Sequence, residues 1–134
     1  MIPEIIYDNK NTWINNITYD SELNLGYIKF KQNECFVYNT ESLNAADDVL
    51  IDYNKNDELF GIEIINWEIL KGDKEMSINE YITYNEENKT CEIKIRDTDI
   101  VKNTKISDNI DVYYDKDENI VSLVLSELEG SPFL

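Results

Sequence analysis

The feature that most restricts the fold is an internal repeat. At an offset of 65 residues, Ile17-Thr-Tyr-Asp-Ser-Glu-Leu-Asn-Leu-Gly-Tyr-Ile-Lys-Phe-Lys31 falls without a gap on Ile82-Thr-Tyr-Asn-Glu-Glu-Asn-Lys-Thr-Cys-Glu-Ile-Lys-Ile-Arg96. Ile17, Thr18, Tyr19, Glu22, Ile28 and Lys29 meet identical residues. At an offset of 61, Val49, Ile51 and Tyr53 fall on Ile110, Val112 and Tyr114, and Phe60, Ile62 and Ile64 on Val121, Leu123 and Leu125. Apolar positions agree while polar ones differ, as expected of two copies of one supersecondary unit held alike by their cores. The change of offset falls in the middle stretch, where a loop accommodates a change of length.

Each copy reads as two hairpins. Ile17 and Tyr19 share a face with Ile28 and Phe30 across a polar turn. Residues 32–48 read as irregular. Val49, Ile51 and Tyr53 then alternate with Leu50 and Asp52, the period of a strand. Asn54-Lys-Asn-Asp-Glu58 has hairpin chemistry, because Asn and Asp tolerate left-handed conformations. The return strand is expected from Leu59 to Ile69, with Phe60, Ile62 and Ile64 inward and a bulge or bend beyond Ile64, where the apolar parity changes. The second copy repeats this at Ile110–Tyr114, Asp115–Asn119 and Ile120–Leu128. Ser77-Ile-Asn-Glu80 predicts an N-cap and a short helical turn. Glu4–Tyr7 and Trp13-Ile14 are placed to add or cover an edge strand.

The expected architecture is mostly β, as β or α+β: two repeated four-stranded hairpin modules packed as a pseudo-dimer, with at most short helical turns. Residues 1–16 form an N-terminal extension, 17–70 the first repeat, 71–81 a connector and 82–134 the second repeat, together one compact domain.

The strands from Ile17-Thr-Tyr-Asp20 and Tyr27-Ile-Lys-Phe30 to Val49-Leu-Ile-Asp-Tyr-Asn-Lys-Asn-Asp-Glu-Leu-Phe-Gly-Ile-Glu-Ile64 resemble the bacterial domain of unknown function 2283 family. The resemblance covers about residues 17–70 and is weaker over 82–129, where Ser122 replaces Gly61 and Val124 replaces Glu63. It implies a short, mostly-β module and no particular reaction.

Charge narrows the function. The chain of 134 residues has 28 Asp and Glu against 12 Lys and Arg, a formal net charge of −16, and no His. It lacks the clustered Lys and Arg that bind duplex DNA by counterion release. Anionic membranes would repel it, and chemistry that needs histidine is excluded. Nothing resembles a signal peptide or a membrane span, so a cytoplasmic protein is expected, and the Asn-, Ile- and Lys-rich composition suggests a bacterial or phage source. Cys35 and Cys91 lack a CxxC spacing and read as structural thiols. No cofactor motif occurs, and nothing pins a pair of carboxylates in an apolar pocket, so no enzyme is expected.

Asp52-x-Asn54-x-Asn56-x-Glu58 with Glu63 has calcium-loop spacing, echoed weakly by Asp115-x-Asp117-x-Asn119, but Asp57 stands where such a loop needs glycine. A solvated hairpin turn is the stronger reading. Tyr19, Tyr53, Tyr84 and Tyr114 recur at matching strand positions and read as core or sheet-face residues. Tyr27, Tyr113, Trp13 and Trp67 have no evident inward partner, and form either an exposed patch or a surface under the N-terminal segment.

Residues 1–67 carry 12 acids and 4 bases, and residues 68–134 carry 16 and 8. The charge therefore covers a folded body and forms no tail. Its magnitude exceeds the ~2–8 typical of a soluble small domain. The expected function is a non-enzymatic acidic protein that neutralises a basic partner, a toxin or nucleic-acid-binding protein, as immunity proteins and inhibitors do. It is expected as a monomer or weak homodimer. The candidate contacts are Asp47, Asp48, Asp57 and Glu58, and Tyr113, Asp115, Asp117 and Glu118. The alternatives are a nucleic-acid-mimicking phage or anti-defence inhibitor, and a small-ligand or calcium-binding module.

Overall fold

A computed structural model describes residues 4–5, 14–30, 36–43, 48–71, 80–85 and 87–126. They form two compact units, one ending at Trp67 and one beginning at Glu68. Among the described residues the chain is antiparallel β-sheet, with 3-10 conformation at Glu68–Leu70 and at Glu80.

Module 1 holds β1 (Glu4–Ile5), β2 (Ile14–Asp20), β3 (Leu25–Phe30), β4 (Asn39–Ser42), β5 (Val49–Tyr53) and β6 (Leu59–Ile65), in the sheet order β1-β2-β3-β6-β5-β4. Module 2 holds β7 (Ile82–Asn85), β8 (Thr90–Lys94), β9 (Lys102–Ser107), β10 (Ile110–Tyr114) and β11 (Ile120–Ser126), in the order β7-β8-β11-β10-β9. The last five strands of module 1 thus have the topology of module 2. β1 is an addition, paired to β2 with Ile5 opposite Ile17, which places the expected extra edge strand.

The alternating pattern dictates which face is buried. Ile17, Ile28, Phe30, Val49, Ile51, Ile62 and Ile64 in module 1 are fully buried, as are Ile82, Cys91, Ile93, Val112, Leu123 and Leu125 in module 2. Ile17 pairs with Ile28, Ile28 with Ile62 and Ile62 with Ile51, a continuous apolar row across four strands. Burying such a side chain contributes about 1.5–3 kcal/mol, which identifies this face as the main source of stability.

The repeat extends to backbone detail. Asn24 and Lys89, which correspond at the first offset, both have positive φ, 52° and 55°; Asp57 and Glu118, at the second, have 61° and 64°. Asp20 Oδ1 accepts the Glu22 and Leu23 N–H groups, and Asn85 Oδ1 accepts that of Asn88. Register shifts fall between Asp52 and Tyr53 and between Tyr113 and Tyr114, the same place in each copy.

Three expectations are corrected. Each module has a fifth strand, β4 or β9, inside the stretch read as irregular. Both are edge strands exposed along nearly their whole length, so neither has the alternation that announces a strand. The return strand ends at Ile65 rather than Ile69. Asn66, at φ 65°, turns the chain there and delivers Trp67 into the core, where its ring meets Tyr19 edge-on at 6.3 Å. Trp67 is therefore not part of an exposed patch. The bend is tied down by the Asn66 and Trp67 N–H groups, which donate to the Asn24 carbonyl at 2.9 and 3.2 Å. Gly26 makes room for this ring, since a Cβ there would strike the indole. Trp13, Cys35, Asp47 and Ser77–Asn79 lie outside the described residues.

Candidate functional site

The acidic turns are built first by local hydrogen bonding. Asn54, fully buried, accepts the Asn56 and Glu58 N–H groups on Oδ1 at 2.8 and 3.1 Å and donates through Nδ2 to Glu58 Oε1 at 3.1 Å. Asp115 does the same work in module 2, accepting the Asp117 and Asn119 N–H groups on Oδ1 at 2.9 and 3.0 Å. Its Oδ2 accepts from the Thr98 hydroxyl at 3.0 Å. Burial would raise the Asp115 pKa, but the donors from Asn119, Thr98 and Asp117 outweigh it and hold the carboxylate below its ordinary range. Of the side chains that suggested a calcium loop, Asn54, Glu58, Asp115 and Asn119 therefore close the turns. Among the described residues, no group of three or more His, Cys, Asp or Glu is placed to hold a metal ion.

This sorts the candidate contacts. Asp115 and Glu58 are turn-forming groups. Glu118 is paired to Lys102 on β9 at 2.9 Å, and this partner lowers its pKa. Tyr113 is half-buried on the sheet face of β10, opposite Ser122. Asp57 and Asp117 are exposed at corresponding turns. Asp48 precedes β5 while Asp57 follows it, so the length of that strand, roughly 15 Å, separates them; they are not one cluster. In module 2, Asp97, Thr98, Asp99, Val101, Asp115, Lys116 and Asp117 line an open depression of about 400 Å³. Asp97 and Asp99 belong to this acidic site and escaped the sequence reading because their loop carries no repeat signal.

The other group missed from the sequence lies on the outer face of module 1. Asp52, 3% exposed, accepts from Thr40 of β4 at 2.6 Å and from the Tyr27 hydroxyl of β3 at 3.0 Å. Tyr27 reaches Asp52 by crossing β6 over Gly61; a Cβ on Gly61 would run into the phenol and lie 2.8 Å from the Ile28 carbonyl oxygen. Burial and Asp52 raise the Tyr27 pKa, so the phenol stays a donor. Glu63 sits diagonally from Asp52 on the neighbouring strand. Burial, then repulsion from Asp52 and a hydrogen bond with it, raise the Glu63 pKa. The raised value favours the protonated form of Glu63, which can then donate to the Asp52 carboxylate. Module 2 has no such group: Tyr113, Ser122 and Val124 stand where module 1 has Asp52, Gly61 and Glu63.

The two edge strands, β4 and β9, also differ. Phe36, Val37 and Tyr38, just ahead of β4, are 82%, 44% and 74% exposed. Ile100 and Val101 stand exposed at the corresponding place before β9, where the Val101 N–H donates to Tyr114 just as the Tyr38 N–H donates to Tyr53. Lys102 and Lys105 of β9 pair with Glu118 and Asp111.

The fold and these turns define a small antiparallel module, present twice. Residues 16–67 match the model of a family described as "Protein of unknown function (DUF2283)". The resemblance drawn from the first set of strands holds over those residues, and the second copy lies outside the match. No curated protein and no solved structure matches the chain. No helix among the described residues is long and apolar enough to cross a membrane.

Proposed function

We propose that the protein is a non-enzymatic acidic binding protein that neutralises a basic protein partner, in the manner of an immunity protein or inhibitor. The observation that carries this reading is the net charge of −16, divided equally between the two halves of the chain. Self-repulsion of that size is a cost that attraction to a cationic partner offsets, chiefly by raising the association rate. The exposed acids Asp57 and Asp117, at equivalent turns, supply part of that field on each module.

The test is capture from lysate with the tagged chain at low and at high salt, followed by salt-dependent binding of the recovered protein. A basic protein, lost as salt rises and bound more weakly by the Asp57→Lys/Asp117→Lys variant, supports the proposal. Affinity indifferent to salt and to charge reversal contradicts it. The depression bordered by Asp97, Asp99 and Asp117 also favours a second reading, mimicry of a phosphate row. Under that reading DNA or RNA competes with the chain for the same partner.

A further inference from the structure

We propose that the outer edge of β4 accepts an extended, positively charged polypeptide segment as an added strand. This rests on the acidic-binding reading above and assigns it a site and a shape of partner.

β4 ends its sheet, and among the described residues no strand pairs with its outer side. The edge of a sheet presents backbone donors and acceptors ready for a further strand. Phe36 and Tyr38, directly ahead of it, expose most of their surface. Such aromatic side chains are enriched at protein interfaces.

The comparison with β9 gives the charge of the occupant. Lys102 and Lys105 protect the β9 edge, since a strand edge bearing lysine resists pairing. They also neutralise Glu118 and Asp111. In the matching register β4 has Asn39 opposite Tyr53 where β9 has Lys102 opposite Tyr114, and Ser42 opposite Leu50 where β9 has Lys105 opposite Asp111. Asp57 thus has an asparagine at the strand position from which Glu118 receives its lysine. Glu41 adds a second exposed acid on β4 itself. Burial raises the Tyr53 pKa, and Glu41 and Asp57 raise it further, so both acids act on one point beside this edge. An incoming strand with lysines supplies the cations that β9 carries for itself. A second copy of this chain, also at −16, is repelled.

The experiment titrates the isotope-labelled full chain with two probes followed by NMR. One is a short peptide alternating lysine and valine; the other is the same peptide N-methylated at alternate backbone amides, which keeps the charge and removes the strand pairing. The expected result is amide shifts confined to residues 36–43 and β5, with the methylated peptide bound at least about tenfold more weakly. Glu41→Lys/Asp57→Lys lowers affinity by a similar factor, and the equally charged Asp99→Lys/Asp117→Lys variant changes it less than about threefold. Phe36→Ser/Tyr38→Ser, on exposed positions, weakens binding without a change of charge. Equal binding of both peptides, with shifts over both modules, overturns the edge site and leaves the acidic-binding reading intact. Binding of neither peptide at low salt overturns both.

Discussion

Modules 1 and 2 share a topology, two left-handed turn positions and a register shift, yet they differ where side chains leave the core. In module 1 the outer face joins Tyr27, Thr40, Asp52 and Glu63 around Gly61. In module 2 the matching positions present Ser122, whose hydroxyl is buried with no hydrogen-bond partner among the described residues, beside Tyr113 and Val124. One edge carries an acid and exposed aromatics; the other carries lysines already paired. The comparison teaches that the inner rows and turn caps maintain the scaffold, while the outer face and edge are free to diverge.

The largest expected effect breaks the turns. Asn54→Ala and Asp115→Ala each leave two backbone N–H groups without their acceptor, so each should destabilise by about 1–3 kcal/mol in denaturant unfolding. Asp115→Asn should be much milder at neutral pH, because Asn54 already performs this role. It should also change the acid limb. A depressed carboxylate pKa stabilises the fold at neutral pH, and that contribution is lost as pH falls through the folded value. The asparagine variant should lack that loss.

A smaller effect sharpens the hairpin comparison. Lys89 occupies the left-handed position that Asn24 fills in module 1, at a steric cost that glycine avoids. Lys89→Gly should stabilise by about 0.5–1 kcal/mol, measured by the same unfolding curves.

The smallest effect separates the outer faces by pH. The Glu63 pKa is raised in the fold, so ionising it opposes folding. Stability should fall as pH rises from the ordinary carboxylate value through the raised one, and stay lower above it. Glu63→Gln should remove this component, while Val124→Gln in module 2 should leave the pH profile unchanged.

The inner faces were readable in the sequence because alternation repeats at a fixed offset and reports directly on burial. Ile17, Ile28, Ile51 and Ile62 all stand where that pattern placed them. β4 and β9 were not readable, since strands exposed along an edge carry no apolar period. The Tyr27–Asp52 hydrogen bond was hidden for a different reason. It depends on β6 lying between β3 and β5, and on Gly61 leaving the space, so no spacing along the chain reports it. The acids themselves were visible, but which of them close turns depends on backbone geometry. That geometry builds Asp115 and Glu58 into the turns themselves and separates Asp48 from Asp57.

The central claim, one scaffold with two diverged outer faces, is tested most directly by equilibrium unfolding of Gly61→Ala and Ser122→Ala in parallel. The first adds a methyl against Tyr27 and the Ile28 carbonyl and should destabilise by about 1–3 kcal/mol. The second removes a buried hydroxyl that finds no partner among the described residues and should be neutral or stabilise by up to about 1 kcal/mol. Effects of the same sign and size at these corresponding positions would contradict the account.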